Sequence, residues 1–154
     1  MNFEYTESPI GTLRLVADET SLKRIEFQGQ HSIGQHETQG WNPVLESCAK
    51  QLDQYFNHKR RSFELPLSAD GTPFQQSVWL ALEEIPFGEL RSYSDIARHI
   101  DREKAVRAVG AANGKNPIPI VVPCHRVIGS DGSLTGFAGG LAAKETLLKL
   151  EGAL

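Results

Sequence analysis

The stretch RSYSDIARHIDREKAVRAVGAANGKNPIPIVVPCHRV, residues 91–127, decides how the rest of the chain is read. Ser92, with Asp95 three residues on, can cap a short helix that runs through Ile100. Asp101 is expected to start a second helix reaching about Gly114. Two short helices joined by a tight turn resemble a helix-turn-helix, and these two lie in the basic part of the chain. Arg91 to Arg126 carries seven Lys/Arg against three Asp/Glu, while the whole chain has a net charge of -3. A local basic surface on an otherwise acidic protein suits a focused site on a polyanion, although a solvated helix face accounts for the charge equally well. On the second helix Arg107, Gly110, Ala111 and Gly114 fall at i, i+3, i+4 and i+7, so that face is almost bare backbone.

Upstream, Thr72-Pro73-Phe74-Gln75 forms a capping box with proline at the first helical position. Phe74, Val78, Trp79, Leu82 and Ile85 then line one helix face until Pro86-Phe87-Gly88 stops it. Residues 2–6, 12–17 and 21–27 alternate apolar and polar and predict three meandering strands. Residues 28–40 read as a loop. Asn42 caps and Pro43 opens a helix whose apolar stripe is Leu45, Cys48, Leu52 and Tyr55/Phe56. Residues 62–67 predict a further strand, and residues 66–71 a link. Downstream, Asp131-Gly132 between Val127/Ile128 and Leu134 predicts a hairpin, and residues 141–150 a last helix with Leu141, Leu147, Leu148 and Leu150 on its apolar side. The expected class is α+β. A small N-terminal β-sheet-plus-helix domain spans 1–68, and a mostly helical C-terminal domain with the helix-turn-helix spans 69–154.

The two cysteines, Cys48 and Cys124, lie far apart, which excludes a disulfide scaffold and fits a reducing compartment. The first residues, MNFEYTESPIGTLRLV, lack the basic start and apolar stretch of a targeting signal, and no apolar run approaches the ~20 residues that span a bilayer. A cytoplasmic protein with no membrane partner is expected, acting as a monomer.

Pro117-Ile118-Pro119-Ile120-Val121-Val122-Pro123 cannot be helical, because its prolines fix φ and lack an N–H. The backbone that presents Cys124 is therefore rigid, and it loses little entropy when placed against a substrate. A thiolate is polarisable and strongly nucleophilic, suited to attack on a saturated carbon, and His125 beside it offers a base. From the dipeptide alone, a packed apolar thiol and a nucleophile both stay open.

The complete string narrows this. PCHRV, preceded by Arg107-Ala108-Val109-Gly110-Ala111-Ala112 and followed by Gly136-Phe137-Ala138-Gly139-Gly140-Leu141 and Lys144, closely resembles the O6-alkylguanine-DNA alkyltransferase family over about residues 70–152. The resemblance implies irreversible, single-turnover transfer of an alkyl group from O6 of guanine in double-stranded DNA onto Cys124. His125 matches the base, acting through a bound water, and Glu151 the carboxylate that orients it. Tyr93 matches the tyrosine that hydrogen-bonds the flipped guanine, Arg107 the arginine that enters the base stack, and Asn116 an asparagine bracing the site. Val127 and Phe137-Ala138 match the pocket walls, with Phe137 standing where some members have tyrosine and Ala138 in place of serine. The bare face of Arg107, Gly110, Ala111 and Gly114 fits close approach to the minor groove. No cofactor is implied. Some members hold a structural zinc, and Cys48, His31, His36 and His58 raise that idea, but their spacing does not support it and Cys48 sits on an apolar stripe. The alternatives are a non-catalytic damage-binding protein of the same fold, whose acceptor cysteine is replaced, a thiol hydrolase, and a transcription regulator using the helix pair alone.

Overall fold

Strands β1 (Asn2–Thr6), β2 (Leu13–Ala17) and β3 (Leu22–Glu26) form the antiparallel meander their alternation predicts, with Phe3 opposite Val16 and Leu15 opposite Ile25. A computed structural model describes residues 1–30, 34 and 36–154, in two units, Met1–Asp70 and Gly71–Leu154. In the first unit a two-residue strand, β4 (Thr38–Gln39), adds parallel to β1, so the sheet order is β3-β2-β1-β4. This corrects the loop expected over residues 28–40 at those two positions alone, since two residues of pairing leave no alternation to read; residues 31–33 and 35 of that stretch lie outside the described residues. Every residue of β2 is buried, including Arg14, whose guanidinium pairs with Glu26 and Glu37 at 2.5 Å each and lies over the Phe3 ring. The charge tolerates burial because it is paired on both sides.

Helix α1 (Pro43–Phe56) starts where expected, with Leu45 N donating to Asn42 Oδ1 at 2.9 Å, a cap that contributes about 1 kcal/mol. It buries Val44, Leu45, Cys48, Leu52 and Tyr55. Cys48 is a packed thiol pushed up to about 12 by burial. Among the described residues no three His, Cys, Asp or Glu side chains converge as a metal set; His31 lies outside them. The strand expected at 62–67 is absent. That segment runs extended because the buried Gln51 amide donates to Glu64 O at 3.0 Å and accepts from Glu64 N at 2.8 Å, while Leu22 N donates to Pro66 O. A side chain replaces most of the ladder there, and only the Leu22–Leu67 bridge remains.

In the second unit, α2 (Pro73–Glu83) has the full Thr72/Gln75 capping box and buries Val78, Trp79, Ala81 and Leu82. Helix α3 (Tyr93–His99) is capped reciprocally by Ser92 and Asp95. Asp101 ends this helix instead of opening the next one. It takes a left-handed φ of 58°, Asp101 N donates to Arg98 O and Arg102 N donates to Ala97 O, which is a Schellman closure with Asp in the usual glycine position. Helix α4 therefore begins later, spanning Val106–Gly114. Trp79 Nε1 donates to Ala112 O at 2.9 Å, tying α2 to α4.

The hairpin expected after Val127 is also corrected. Strand β6 (Val127–Ile128) pairs in parallel with β5 (Arg91–Ser92), and the turn at Gly129–Gly132 closes through Gly129 N to Ser133 O without a second strand at Leu134. Helix α5 (Leu141–Leu150) buries Ala143, Lys144, Leu147 and Leu148 but exposes Leu141, so its inward face is rotated from the expected leucine stripe. Among the described residues, no helix is long and apolar enough to cross a membrane.

Candidate active site

The proline-rich segment is held as a rigid loop by Asn116. Its Nδ2 donates to Val122 O at 2.8 Å while its Oδ1 accepts from Ile118 N at 3.0 Å, so one side chain staples both ends of the turn. Ile120, buried and β-branched, takes a left-handed φ of 74°, a strained conformation that persists only where its surroundings enforce it. Pro123, at φ -81° and ψ 63°, closes an inverse γ-turn in which Cys124 N donates to Val122 O at 2.8 Å. Cys124, His125 and Arg126 then form a single 3-10 turn, all three buried.

Helix α5 supplies the other half of the site. Lys144, Leu147, Leu148 and Glu151 share its inward face, and Gly152, at φ 77°, ends the helix through bonds from Gly152 N to Lys149 O and Ala153 N to Leu148 O. That closure turns Glu151 inward. Its Oε2 lies 2.7 Å from His125 Nε2 and accepts from an Arg126 terminal nitrogen at 3.0 Å; its Oε1 accepts from Arg126 Nε at 2.8 Å and from Gly88 N at 3.4 Å. Arg126 also donates to Ile85 O at 2.7 Å. The other imidazole nitrogen, His125 Nδ1, is buried with no hydrogen-bond partner among the described residues.

Burial sets the acid–base state of these groups. The Cys124 thiol, 5 % exposed, is pushed up to about 11 by desolvation, against the pull of a hydrogen bond from Asn116 and the charge of Lys144. His125 is pushed below the ordinary imidazole range by desolvation, assisted by the charges of Arg126 and Lys144 and opposed by Glu151. Lys144 is lowered by desolvation, and Cys124 opposes that shift. Its ammonium donates to Val127 O at 2.6 Å and Thr135 O at 2.8 Å. Thr135 O also accepts from the Tyr93 hydroxyl at 3.3 Å, linking the first residue of α3 to the buried lysine.

The chain thus brings Cys124, His125, Glu151, Asn116 and Val127 together, with Tyr93 reached through Thr135. Phe137 is half-buried and Ala138 exposed in the loop before α5. Arg107, Ala111 and Gly114 lie exposed on α4, and Arg107 makes no hydrogen bond or ion pair with any described residue. A β-carbon added at Gly114 meets nothing within 4 Å, and one at Gly110 comes no closer than 3.9 Å to the Tyr93 ring. A cavity of about 420 Å³ lined by Glu84, Ile85, Leu90, Arg91 and His99, among others, is not lined by Cys124, His125, Glu151, Asn116 or Tyr93. Sequence reasoning gave Arg126 and Lys144 no role, although the i, i+7 placement of Lys144 and Glu151 on a face otherwise made of Leu147 and Leu148 was a readable signal of buried charge.

Comparison with known proteins covers both units. Residues 1–69 match the model of the 6-O-methylguanine DNA methyltransferase ribonuclease-like domain, and residues 73–153 that of the 6-O-methylguanine DNA methyltransferase DNA binding domain. The chain is 49% identical over 154 residues to a methylated-DNA–protein-cysteine methyltransferase of Methanosarcina acetivorans, covering 99% of each. It is 46% identical to the constitutive one of Bacillus subtilis, covering 98% of this chain and 96% of the relative. Among solved structures, Mycobacterium tuberculosis OGT in complex with DNA superposes with a TM-score of 0.93 at 42% identity, covering 99% of this chain and 94% of that one. With family models spanning nearly the whole sequence and relatives alike from end to end, this chain belongs to the 6-O-methylguanine DNA methyltransferase family.

Proposed function

We propose that this protein repairs DNA by moving an alkyl group from O6 of guanine onto Cys124, once per chain. The observation that carries the reading is a thiol on a braced turn beside a His125–Glu151 pair whose far nitrogen, Nδ1, has no partner in the described structure. Thiol proton transfer to Nδ1, relayed by a bound water, frees the sulfur lone pair for attack on the alkyl carbon. The carbon–O6 bond breaks, its electron pair leaves with the purine, and the purine takes up a proton. The Tyr93 hydroxyl supplies a hydrogen-bond donor where that negative charge develops. The product is a thioether, which has no bond that water cleaves to restore the acceptor.

The DNA-facing part of the proposal rests on α4. Packing within the unit does not require its bare face, because β-carbons at Gly110 and Gly114 fit without clash. Small residues there instead suit close approach of the helix to a minor groove. A stacked, paired guanine cannot present O6 to a buried sulfur, so the nucleotide is extruded. Arg107, exposed and without a hydrogen bond or ion pair among the described residues, fills the gap, while Val127 and Phe137-Ala138 wall the pocket. The protein acts as a monomer in the cytoplasm.

The test is incubation with excess duplex carrying radiolabelled O6-methylguanine, read by label and intact mass. About one alkyl per chain on Cys124, and none on Cys124→Ser, is expected; continued product beyond the protein concentration overturns the mechanism.

A further inference from the structure

Resting on the function proposed above, we infer that Arg126 is a positioning residue that fixes the tautomer of His125. It keeps Glu151 a pure acceptor, so that Nε2 carries the proton and Nδ1 presents its lone pair toward the thiol. The inference follows from a donor census. Both Glu151 oxygens receive nitrogen donors: Arg126 Nε at 2.8 Å and Gly88 N at 3.4 Å on Oε1, and an Arg126 terminal nitrogen at 3.0 Å on Oε2. A guanidinium has five N–H groups and no acceptor, and a backbone amide offers only its N–H. On Oε1 a proton would face these donors, and on Oε2, where it could point only at His125, the guanidinium charge bonded to both oxygens favours the ionised carboxylate. The contact of 2.7 Å between Oε2 and His125 Nε2 then requires the proton to sit on Nε2. A neutral imidazole carries one proton, which leaves Nδ1 as the acceptor, and this nitrogen has no hydrogen-bond partner among the described residues.

The same fork decides how basic that nitrogen is. A carboxylate facing an imidazole alone stabilises imidazolium, and a strongly paired resting imidazolium cannot take the thiol proton. Arg126 shares the carboxylate and places a second positive charge beside the ring. The charged groups facing His125 are Glu151 and Lys144 from α5 and its cap and Arg126 from its own turn. From the segment after α2 come only the neutral Ile85 carbonyl and Gly88 amide, both spent on the fork. The buried ring is shifted below the ordinary imidazole range by desolvation first, with Arg126 and Lys144 adding to the shift and Glu151 opposing it. The third Arg126 anchor, to Ile85 O at 2.7 Å, fixes where the fork points.

The experiment uses the full chain and alkylated duplex, in single turnover across pH 5 to 9, together with nitrogen-15 spectra of the imidazole. The parent should show Nε2 protonated and Nδ1 bare, with an acid limb below the ordinary histidine range. Arg126→Met should carry imidazolium at neutral pH and move the acid limb up by about one pH unit or more, close to a tenfold loss near pH 6.5 that recovers at high pH. Arg126→Lys, which keeps charge without the fork, should leave the limb nearer the parent's. A merely structural arginine predicts an equal loss at every pH and an unmoved limb, and that result overturns the inference. If Arg126→Met does not fold, the parent spectrum still decides, because a proton on Nδ1 refutes the assignment. Label on Cys124 in the parent is scored in the same samples. Its absence defeats the proposed function, whereas one alkyl per chain with the wrong tautomer defeats only the role of Arg126.

Discussion

Removing Glu151 and Arg126 singly and together separates a working charge network from mere neighbours. The Arg126 side chain is 7% exposed and that of Glu151 0%, joined by a two-pronged fork at 2.8 and 3.0 Å. Breaking such a buried pair from one side costs about 3–5 kcal/mol, because the survivor keeps its desolvation penalty and loses its partner. Glu151→Gln leaves the guanidinium opposite a neutral amide. Arg126→Met leaves the carboxylate with His125, which can take up a proton and pair with it. Each single variant should therefore lose about 3 kcal/mol at pH 8 by urea unfolding, and the double variant about the same, for a coupling near 3 kcal/mol. Their pH dependence differs in sign. In the parent the His125 pKa is lowered, so the unfolded chain binds more protons just below the ordinary imidazole value and stability falls as pH drops through that window. In Arg126→Met it should be raised, giving stability fully present below the unfolded pKa and lost as pH rises through the folded one. The deficit of that variant should thus shrink as the solution is acidified. Losses that add within about 0.5 kcal/mol, with a deficit constant in pH, would refute the network.

Two further outcomes follow from groups outside that pair. Arg107→Ala should slow transfer from saturating duplex far more than transfer from free O6-benzylguanine, which needs no extrusion; equal single-turnover rates on saturating duplex would leave Arg107 only a phosphate contact. Burial raises the Glu37 carboxyl, but hydrogen bonds from Arg14, Gly34 and Arg24 outweigh it and hold it at about 2 against an ordinary 4.5. It should contribute about 3 kcal/mol of stability, present above the ordinary value and lost as pH falls toward 2; Glu37→Gln should flatten that acid limb in urea titrations, and an unchanged limb contradicts the assignment.

What the sequence disclosed was chemistry that acts over a few residues. The Asn42, Thr72 and Ser92 caps were legible because each is a side chain bonded three residues on, and the β1–β3 meander because short runs of alternating apolar and polar residues are separated by turn residues, although β2 is buried along its whole length. What it concealed depends on partners far along the chain. Residues 62–67 have the composition of a strand, yet their backbone is taken up by Gln51, and Val127–Ile128 pairs with Arg91–Ser92 instead of folding back on Leu134. Asp101 looked like a helix start because Asp is a good N-cap; its left-handed φ shows that the same short polar side chain also tolerates a helix stop. At the site, Cys124 stood out through its prolines, whereas Arg126 and Lys144 carried the family resemblance without a role of their own. Only the fold shows both buried.

Burial explains why the acceptor is kept as a thiol. With the thiol at about 11, the thiolate fraction near pH 7.5 is about one in a few thousand, against a few per cent for an ordinary cysteine near 9. The base is lowered at the same time, and both shifts favour the neutral thiol and imidazole over thiolate and imidazolium. In an enzyme that turns over, such reluctance would be a rate penalty and nothing more. In a protein whose acceptor works once, every stray electrophile that finds a thiolate destroys a molecule, and a protonated thiol on a buried residue reacts with few of them. The price in nucleophilicity is then offset locally. Lys144 and Asn116 draw the thiol down, and the tautomer inferred above, with Nδ1 bare, would give its proton a place to go. On the proposed function, reactivity then depends on a substrate seated against Cys124, where the base and the thiol are brought together.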